Sequence, residues 1–291
     1  MFEILDKNFN GCLSGDINDY PEGIVVPIDK PYRWTSADVI RKVKYAACRH
    51  FNKKNLKVGH AGTLDPLATG VLLVCIGNAT KQAEALQAHD KEYVAGVAFG
   101  ATTPSYDLEK EVDRTFEHEH ITVENIEAAL EGFLGEQDQI APLFSAKSVD
   151  GVRAYELARK LYKEKIASGS DSSDAVFDEA AESIIRTSRI TISELELLGF
   201  NQPKPSYVLD DSKASSRINV TDNSHLNLTR ADIRLACTKG TYVRAFARDL
   251  GEALGSGAHL DALQRSRSGI FKVSDALSVD DVMKLLDKAK Y

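Results

Sequence analysis

Apolar residues along the chain keep changing their spacing, and each change marks an element. GIVVPI at 23–28 is a continuous apolar run of strand length halted by Lys30-Pro31, which predicts a buried strand. Thr35-x-x-Asp38 follows as a capping box, and Val39, Ile40, Val43 and Ala47 recur at helical spacing. A helix over roughly Ser36 to Phe51 is expected. ATGVLLVCIG reads as a second buried strand, LKVGHAGTLDP before it as a loop, and NATKQAEALQAHD after it as a helix capped by Asn78. KEYVAGVAFG alternates, with Tyr93, Ala95, Val97 and Phe99 on one face of a half-buried strand.

Further on, ITVENIEAALEGFLG is an amphipathic helix ending at Gly135, and RITISELELLGF is a strand. ADIRLACTKGTY is a strand that leads through Gly240 into the helix YVRAFARDLGEALG, which stops at Gly255. SVDDVMKLLDKAK closes the chain as a helix capped by Ser278. Residues 163–188 and 201–228 are rich in Ser, Asp and Asn and weakly periodic, so both are expected to be mobile insertions. Runs of strands interleaved irregularly with helices indicate an α+β protein without a regular βαβ repeat.

Composition narrows the function classes. At 291 residues and 43% hydrophobic, the chain can fill one large core or two modest ones. No apolar run approaches membrane-span length, and MFEILDKNFN lacks the features of a secretory leader. The four cysteines are scattered without a C-x-x-C pair, which argues against zinc or disulfides and for reduced thiols in a cytoplasmic protein. The net charge of −7 looks unfavourable for a nucleic-acid partner. Yet residues 30–57 hold nine Lys or Arg against Asp38 alone. Such a run is either a solvated helix face or a surface for phosphates.

Motifs for nucleotide triphosphates, dinucleotides, zinc hydrolases and serine hydrolases are absent from the sequence, and the seven histidines lack ligand-like spacing. A catalytic metal is not expected, and no motif for a nucleotide cofactor is seen. Carboxylates, tyrosines and arginines remain. Asp65 stands out, stiffened by Pro66 and set near Gly59, Gly62 and Gly70 in an apolar stretch. By itself it could simply accept hydrogen bonds within a turn.

A longer pattern adds to this. IDKPYRWTSADVI and VGHAGTLDPLATGVLLVCIGNATK, followed in order by KEYVAGVAFGATTPSYD, PLFSAKSVDGVRAYELAR and CTKGTYVRAFARDLGEALGSGAHLDALQRSRSG, resemble the TruB family of tRNA pseudouridine-55 synthases. The resemblance covers roughly residues 24–160 and 189–271. It implies a mixed, largely antiparallel sheet flanked by helices, from which the loop insertions at about 163–188 and 201–228 are departures. The expected catalytic domain spans 1–275, and 276–291 would be a C-terminal helix in place of a full PUA domain.

The resemblance also implies roles. Asp65 matches the aspartate that acts as nucleophile when the glycosidic bond of a uridine breaks, before the uracil is rejoined through C5 without a cofactor or metal. Tyr93 matches the tyrosine that packs on the base and is implicated in removing the C5 proton. Arg244 matches the arginine paired with the aspartate. Tyr242 and Leu263 match pocket residues, and His60 a histidine that contacts RNA during base flipping. The implied partner is the T-arm of tRNA, bound by a monomer with no membrane role. General chemistry agrees: a nearby guanidinium keeps a carboxylate ionised and nucleophilic, and a base in a folded loop must be extruded into a stacking pocket. Lys30-Pro31 is expected to buttress the site. Arg33 and Ala61 replace a frequent glycine and threonine, and neither is expected to touch the chemistry.

Two other readings stay open on sequence alone. One is a tRNA-binding or folding factor whose catalysis is incidental. The other is an aspartate-dependent glycosidase, disfavoured because a second carboxylate at a comparable loop position is not evident.

Overall fold

The computed structural model describes residues 2–142, 148–149, 152–153, 187–208 and 217–287. Residues 163–186 of the expected insertion at 163–188 and most of the PLFSAKSVDGVRAYELAR block lie outside the described residues, while Thr187 and Ser188 begin β11. In the first part of the chain, strands β1 (Glu3–Ile4) and β2 (Ile24–Lys30) precede helix α1 (Ser36–His50). Then come β3 (Val58–Ala61), β4 (Ala68–Ile76), helix α2 (Ala83–Ala88), β5 (Lys91–Phe99), β6 (Ala101–Thr102) and β7 (Arg114–Thr115). Helix α3 (Val123–Glu131) leads to β8 (Gly135–Ile140), β9 (Ser148–Val149), β10 (Val152–Arg153), β11 (Thr187–Phe200) and β12 (Thr229–Cys237). Helix α4 (Val243–Ala253), β13 (Ala258–Ser268), β14 (Phe271–Lys272), β15 (Leu277–Ser278) and helix α5 (Val279–Asp287) follow.

One sheet organises the described residues, in the order β1-β2-β4-β13-β5-β12-β11-β8. Its long central pairs, β2 on β4, β5 on both β13 and β12, and β11 on both β12 and β8, are antiparallel. The parallel contacts are short: β13 meets β4 only over Leu263–Arg265 against Ala68–Gly70. The expected mixed, largely antiparallel α+β fold is the fold observed.

The apolar pattern explains which faces are covered. All nine residues of β4 are buried because both faces are packed. Leu72, Val74 and Ile76 join Val39 and Val43 of α1 and Val282 of α5, while Val71, Leu73 and Cys75 meet Leu86 of α2 and Phe271. The alternating residues of β5, Tyr93, Ala95, Val97 and Phe99, share the first core with Phe246 and Leu250 of α4 and Ile126 and Leu130 of α3. Each fully buried side chain of this size contributes about 1.5–3 kcal/mol. The capping box of α1 is present in both directions, Asp38 N–H to Thr35 Oγ1 at 3.0 Å and Thr35 N–H to Asp38 Oδ2 at 3.1 Å. Among the described residues no helix is long and apolar enough to cross a membrane.

Five local expectations need correction. The helix expected to end at Gly135 stops at Glu131 with Gly132 as its C-cap, and Gly135 opens strand β8. Asn78 is not a helix cap: a 3₁₀ helix runs through Gly77–Gln82, and the Asn78 amide donates to the Pro21 carbonyl at 2.8 Å. Residues 58–61 form a strand on β4 instead of belonging wholly to a loop. Residues 258–268, read as no element, form the central strand β13. Finally, the described part of 201–228 is packed against the sheet: Val208, Ile218 and Val220 join Tyr32, Leu67, Leu108 and Ala262 in one apolar cluster.

The end of β2 is where the fold begins to shape a site. Lys30 is fully buried, and its ammonium donates to the carbonyls of Pro31, Trp34 and Pro66 at 3.0, 2.6 and 3.2 Å. A protonated lysine has three donors and no acceptor, which suits a point where three carbonyls converge. Burial disfavours the charge and lowers the Lys30 pKa to about 7, although Asp65 opposes the shift. Between that value and the ordinary 10.5, the unfolded chain binds a proton that the folded chain does not. Stability therefore rises with pH above about 7, and below it this contribution is flat. Urea unfolding of wild type and Lys30→Met across neutral to alkaline pH should show a steeper rise for wild type. Parallel curves would mean that Lys30 stays charged in the folded protein.

Candidate active site

Asp65 sits in the loop between β3 and β4, and donors from around it hold the carbonyls of that loop. Arg265 of β13 is 1% exposed and donates to Gly62 O at 3.1 Å, Thr63 O at 3.5 Å and, on β4, Val71 O at 2.7 Å. Ser36, the first residue of α1, donates from Oγ to Leu64 O at 3.2 Å and accepts from Leu64 N–H at 3.0 Å. The Ala68 N–H reaches Asp65 O at 3.1 Å, and Lys30 takes Pro66 O. Gly70 makes this close approach possible: its φ is 95°, and a Cβ there would run into the backbone of Arg265.

The Asp65 carboxylate faces Arg244 in the first turn of α4. Arg244 Nε donates to Oδ2 at 2.9 Å and Nη2 to Oδ1 at 3.3 Å, a two-pronged pair. The guanidinium is buried and also donates from Nη1 to Ser105 O at 3.0 Å. Its Nε lies 3.8 Å from Asp107 Oδ2. Burial works against this charge, but Asp65, Asp107 and Glu109 outweigh it and raise the Arg244 pKa.

Asp107 is the residue that sequence reasoning missed. It is buried and accepts from Ser105 Oγ at 2.6 Å and from Glu109 N–H at 3.0 Å. Burial pushes its carboxyl up, with Arg244 and the Ser105 bond opposing. The Ser-x-Asp spacing within ATTPSYD was the available signal. A second carboxylate therefore does stand near Asp65, contrary to expectation. Its oxygens are turned to internal donors, so it supports Arg244 and does not form an exposed acid pair. The exposure is uneven in the other direction too: the Asp65 side chain is 40% exposed and that of Asp107 only 7%. Asp65 is open to an incoming molecule, not sealed in a dry interior.

A small depression, open to solvent, lies over the pair. Asp65, Arg244 and Leu263 line it together with Asp107, Tyr32, Leu67, Ala68, Leu108 and the 260–262 stretch of β13. Three of the expected site residues thus converge. The other three do not line this depression. Tyr93 is buried on β5, opposite Arg265 on one side and Leu235 on the other. Burial raises its phenol pKa and the Arg265 guanidinium opposes the shift. Tyr242 is half-buried at the N-cap of α4, where its N–H donates to Gln139 Oε1 at 2.8 Å. His60 is half-buried on β3 opposite Val74.

Comparison with known proteins places this geometry. The family model described as TruB family pseudouridylate synthase (N terminal domain) matches residues 49–170, and that of the tRNA pseudouridylate synthase B C-terminal domain matches 244–290. The tRNA pseudouridine synthase B of Phocaeicola vulgatus is 45% identical over 270 residues, covering 93% of this chain and 96% of the relative. The protein of the same name from Flavobacterium johnsoniae is 40% identical over 263 residues, covering 90% and 95%. In a solved Cbf5-Nop10-Gar1 complex the TM-score is 0.57 at 24% identity, over 98% of this chain and 63% of the other, a likeness of fold. An arginine-held aspartate on a strand-to-strand loop, in a chain this similar along its length to those relatives, identifies the protein as a member of the TruB family of pseudouridylate synthases.

Proposed function

We propose that the protein isomerises the T-loop uridine of tRNA to pseudouridine, with Asp65 as nucleophile and the target base flipped into the depression beside it. The observation that carries this reading is the Asp65–Arg244 pair: a fixed carboxylate, open on one side, at the foot of an apolar recess. A nucleophile needs its lone pairs exposed to the substrate and its rotamer held, and both conditions are met here.

The reaction is balanced within the substrate. The N1–C1′ bond breaks with Asp65 as the covalent partner, the uracil turns, and a C5–C1′ bond forms. C5 loses its proton and N1 gains one, so neither an oxidant nor a group donor enters. A uridine within a folded loop must unstack to reach Asp65, and apolar and aromatic walls offset that cost. Leu263 acts as such a wall from within the depression, and Tyr242, at the N-cap of α4 beside Arg244, joins it only once the base is bound. Tyr93 packs on the base and takes part in removing the C5 proton; its phenol starts neutral, as its raised pKa requires. His60 contacts the RNA as the base leaves its stack. The exposed Arg41, Lys44 and Arg49 of α1, with Lys53, Lys54 and Lys57 after it, meet backbone phosphates in an otherwise acidic protein. A cytoplasmic monomer completes the reading.

Incubation with unmodified tRNA transcript, followed by mapping of pseudouridine, tests it. Wild type should give product at the T-loop uridine. Asp65→Asn should give none while binding RNA about as well, within roughly threefold. Turnover by Asp65→Asn at the wild-type rate would remove Asp65 from the chemistry. A cellular defect rescued fully by that variant would favour a folding factor with incidental catalysis. Arg244→Lys replaces the two-pronged fork by a point charge and should slow turnover by about a hundredfold. Arg244→Leu also leaves buried Asp107 without its cation and should cost roughly 3 kcal/mol in urea unfolding.

A further inference from the structure

Arg33 lies in the turn between β2 and α1 with φ 59°, in the left-handed region that suits glycine and strains a residue with a side chain. Such a conformation persists where surrounding contacts over-determine it. The contacts are visible: Arg33 Nε and Nη2 both donate to the Ile218 carbonyl, at 3.1 and 2.8 Å. Ile218 belongs to the stretch that the sequence sets apart as an insertion. Its neighbours are fixed as well. The Thr221 N–H donates to Leu108 O at 2.8 Å, the Asn223 amide lies 2.6 Å from His259 Nε2, and Lys204 Nζ is 3.8 Å from Asp261 Oδ2. Ile218 and Val220 pack with Tyr32, Leu67, Leu108 and Ala262, and these four line the Asp65 depression.

The contacts close into a ring around the catalytic loop. Pro66, next to Asp65, gives its carbonyl to Lys30, which also holds the carbonyls of Pro31 and Trp34 on either side of Arg33. Arg33 in turn holds Ile218, and the apolar side of that segment returns to Leu67, two residues from Asp65. We infer that Arg33 is a positioning residue, latching residues 217–223 against the depression as an added wall that keeps Leu67, and through it the Asp65 carboxylate, aligned with Arg244 and a bound uridine. This rests on the reading of Asp65 as the nucleophile.

The test measures, for wild type, Arg33→Gly and Arg33→Lys, the single-turnover rate on tRNA transcript, the RNA dissociation constant and the melting midpoint. Glycine suits the left-handed turn, so Arg33→Gly should melt no lower than wild type. It should nonetheless slow the single turnover by about tenfold, with RNA affinity changed by less than about twofold. Arg33→Lys keeps one donor toward Ile218 O and should recover part of the rate. Leu67→Ala should cost less in the Arg33→Gly background than in wild type, because both changes loosen the same wall. A wild-type rate in Arg33→Gly would overturn the inference. So would a slower rate explained by weaker RNA binding, which would make Arg33 a phosphate contact, or one that follows a lowered melting midpoint. A wild-type protein that forms no pseudouridine in any tRNA would instead overturn the functional reading beneath it.

Discussion

Arg244 is the charge on which the site depends. Taking a guanidinium out of water is costly, and only close anionic and carbonyl partners offset that cost. Asp65, Asp107 and the Ser105 carbonyl supply them from two loops, while Val243, Phe246 and Leu250 anchor the same helix in the core. The cation therefore joins the α4 side of the sheet to the loop before β4. Its two acids are not equivalent. Asp107 is buried and accepts from Ser105 and Glu109, whereas Asp65 keeps one side open. One acid stabilises the arginine, and the other remains available to meet a substrate.

The loop around Asp65 owes its rigidity to side chains that reach in from elsewhere. Arg265 comes from β13, Ser36 from α1 and Lys30 from β2, and each binds a different carbonyl. Bonds from charged donors to carbonyls contribute about 1.5–3 kcal/mol each, more than neutral ones. Two cations buried within a sheet would be a poor way to stabilise a core. They make sense as clamps on an irregular segment that cannot satisfy its own backbone.

These clamps also explain what the sequence could and could not reveal. β2, β4, β5, β11 and β12 were legible because their periodicity follows the faces they bury, and α1 and α5 because Thr35 and Ser278 do cap them. β13 was not, because His259, Asp261 and Arg265 turn inward from a central strand. Their partners, among them Ala101, Arg230 and Val71, lie far off in the chain, so nothing local marks the strand. The pairing of Asp65 with Arg244 spans 179 residues and was legible only through the likeness to a family. Asp107 escaped notice because a Ser-x-Asp in a turn usually satisfies only itself. The 201–228 stretch was misjudged for a related reason. A polar, weakly periodic composition hides the few apolar residues, Val208, Ile218 and Val220, that dock it.

The uneven exposure of the two acids answers a conflict inherent in the proposed chemistry. A nucleophile reacts best when water is excluded, yet a site that must admit a base from a folded RNA cannot be closed beforehand. Here the charges that hold Asp65 are buried, in Arg244 and Asp107, and the proposed nucleophile itself is left partly open. In the proposed reaction the flipped base then serves as the lid. On that reading, a base packed against Leu263 and Leu67 excludes water from Asp65, and the interaction between Asp65 and Arg244 strengthens as the local dielectric falls. In such a site the final step of desolvation comes with the substrate, so tight alignment of the carboxylate before binding matters more than its seclusion.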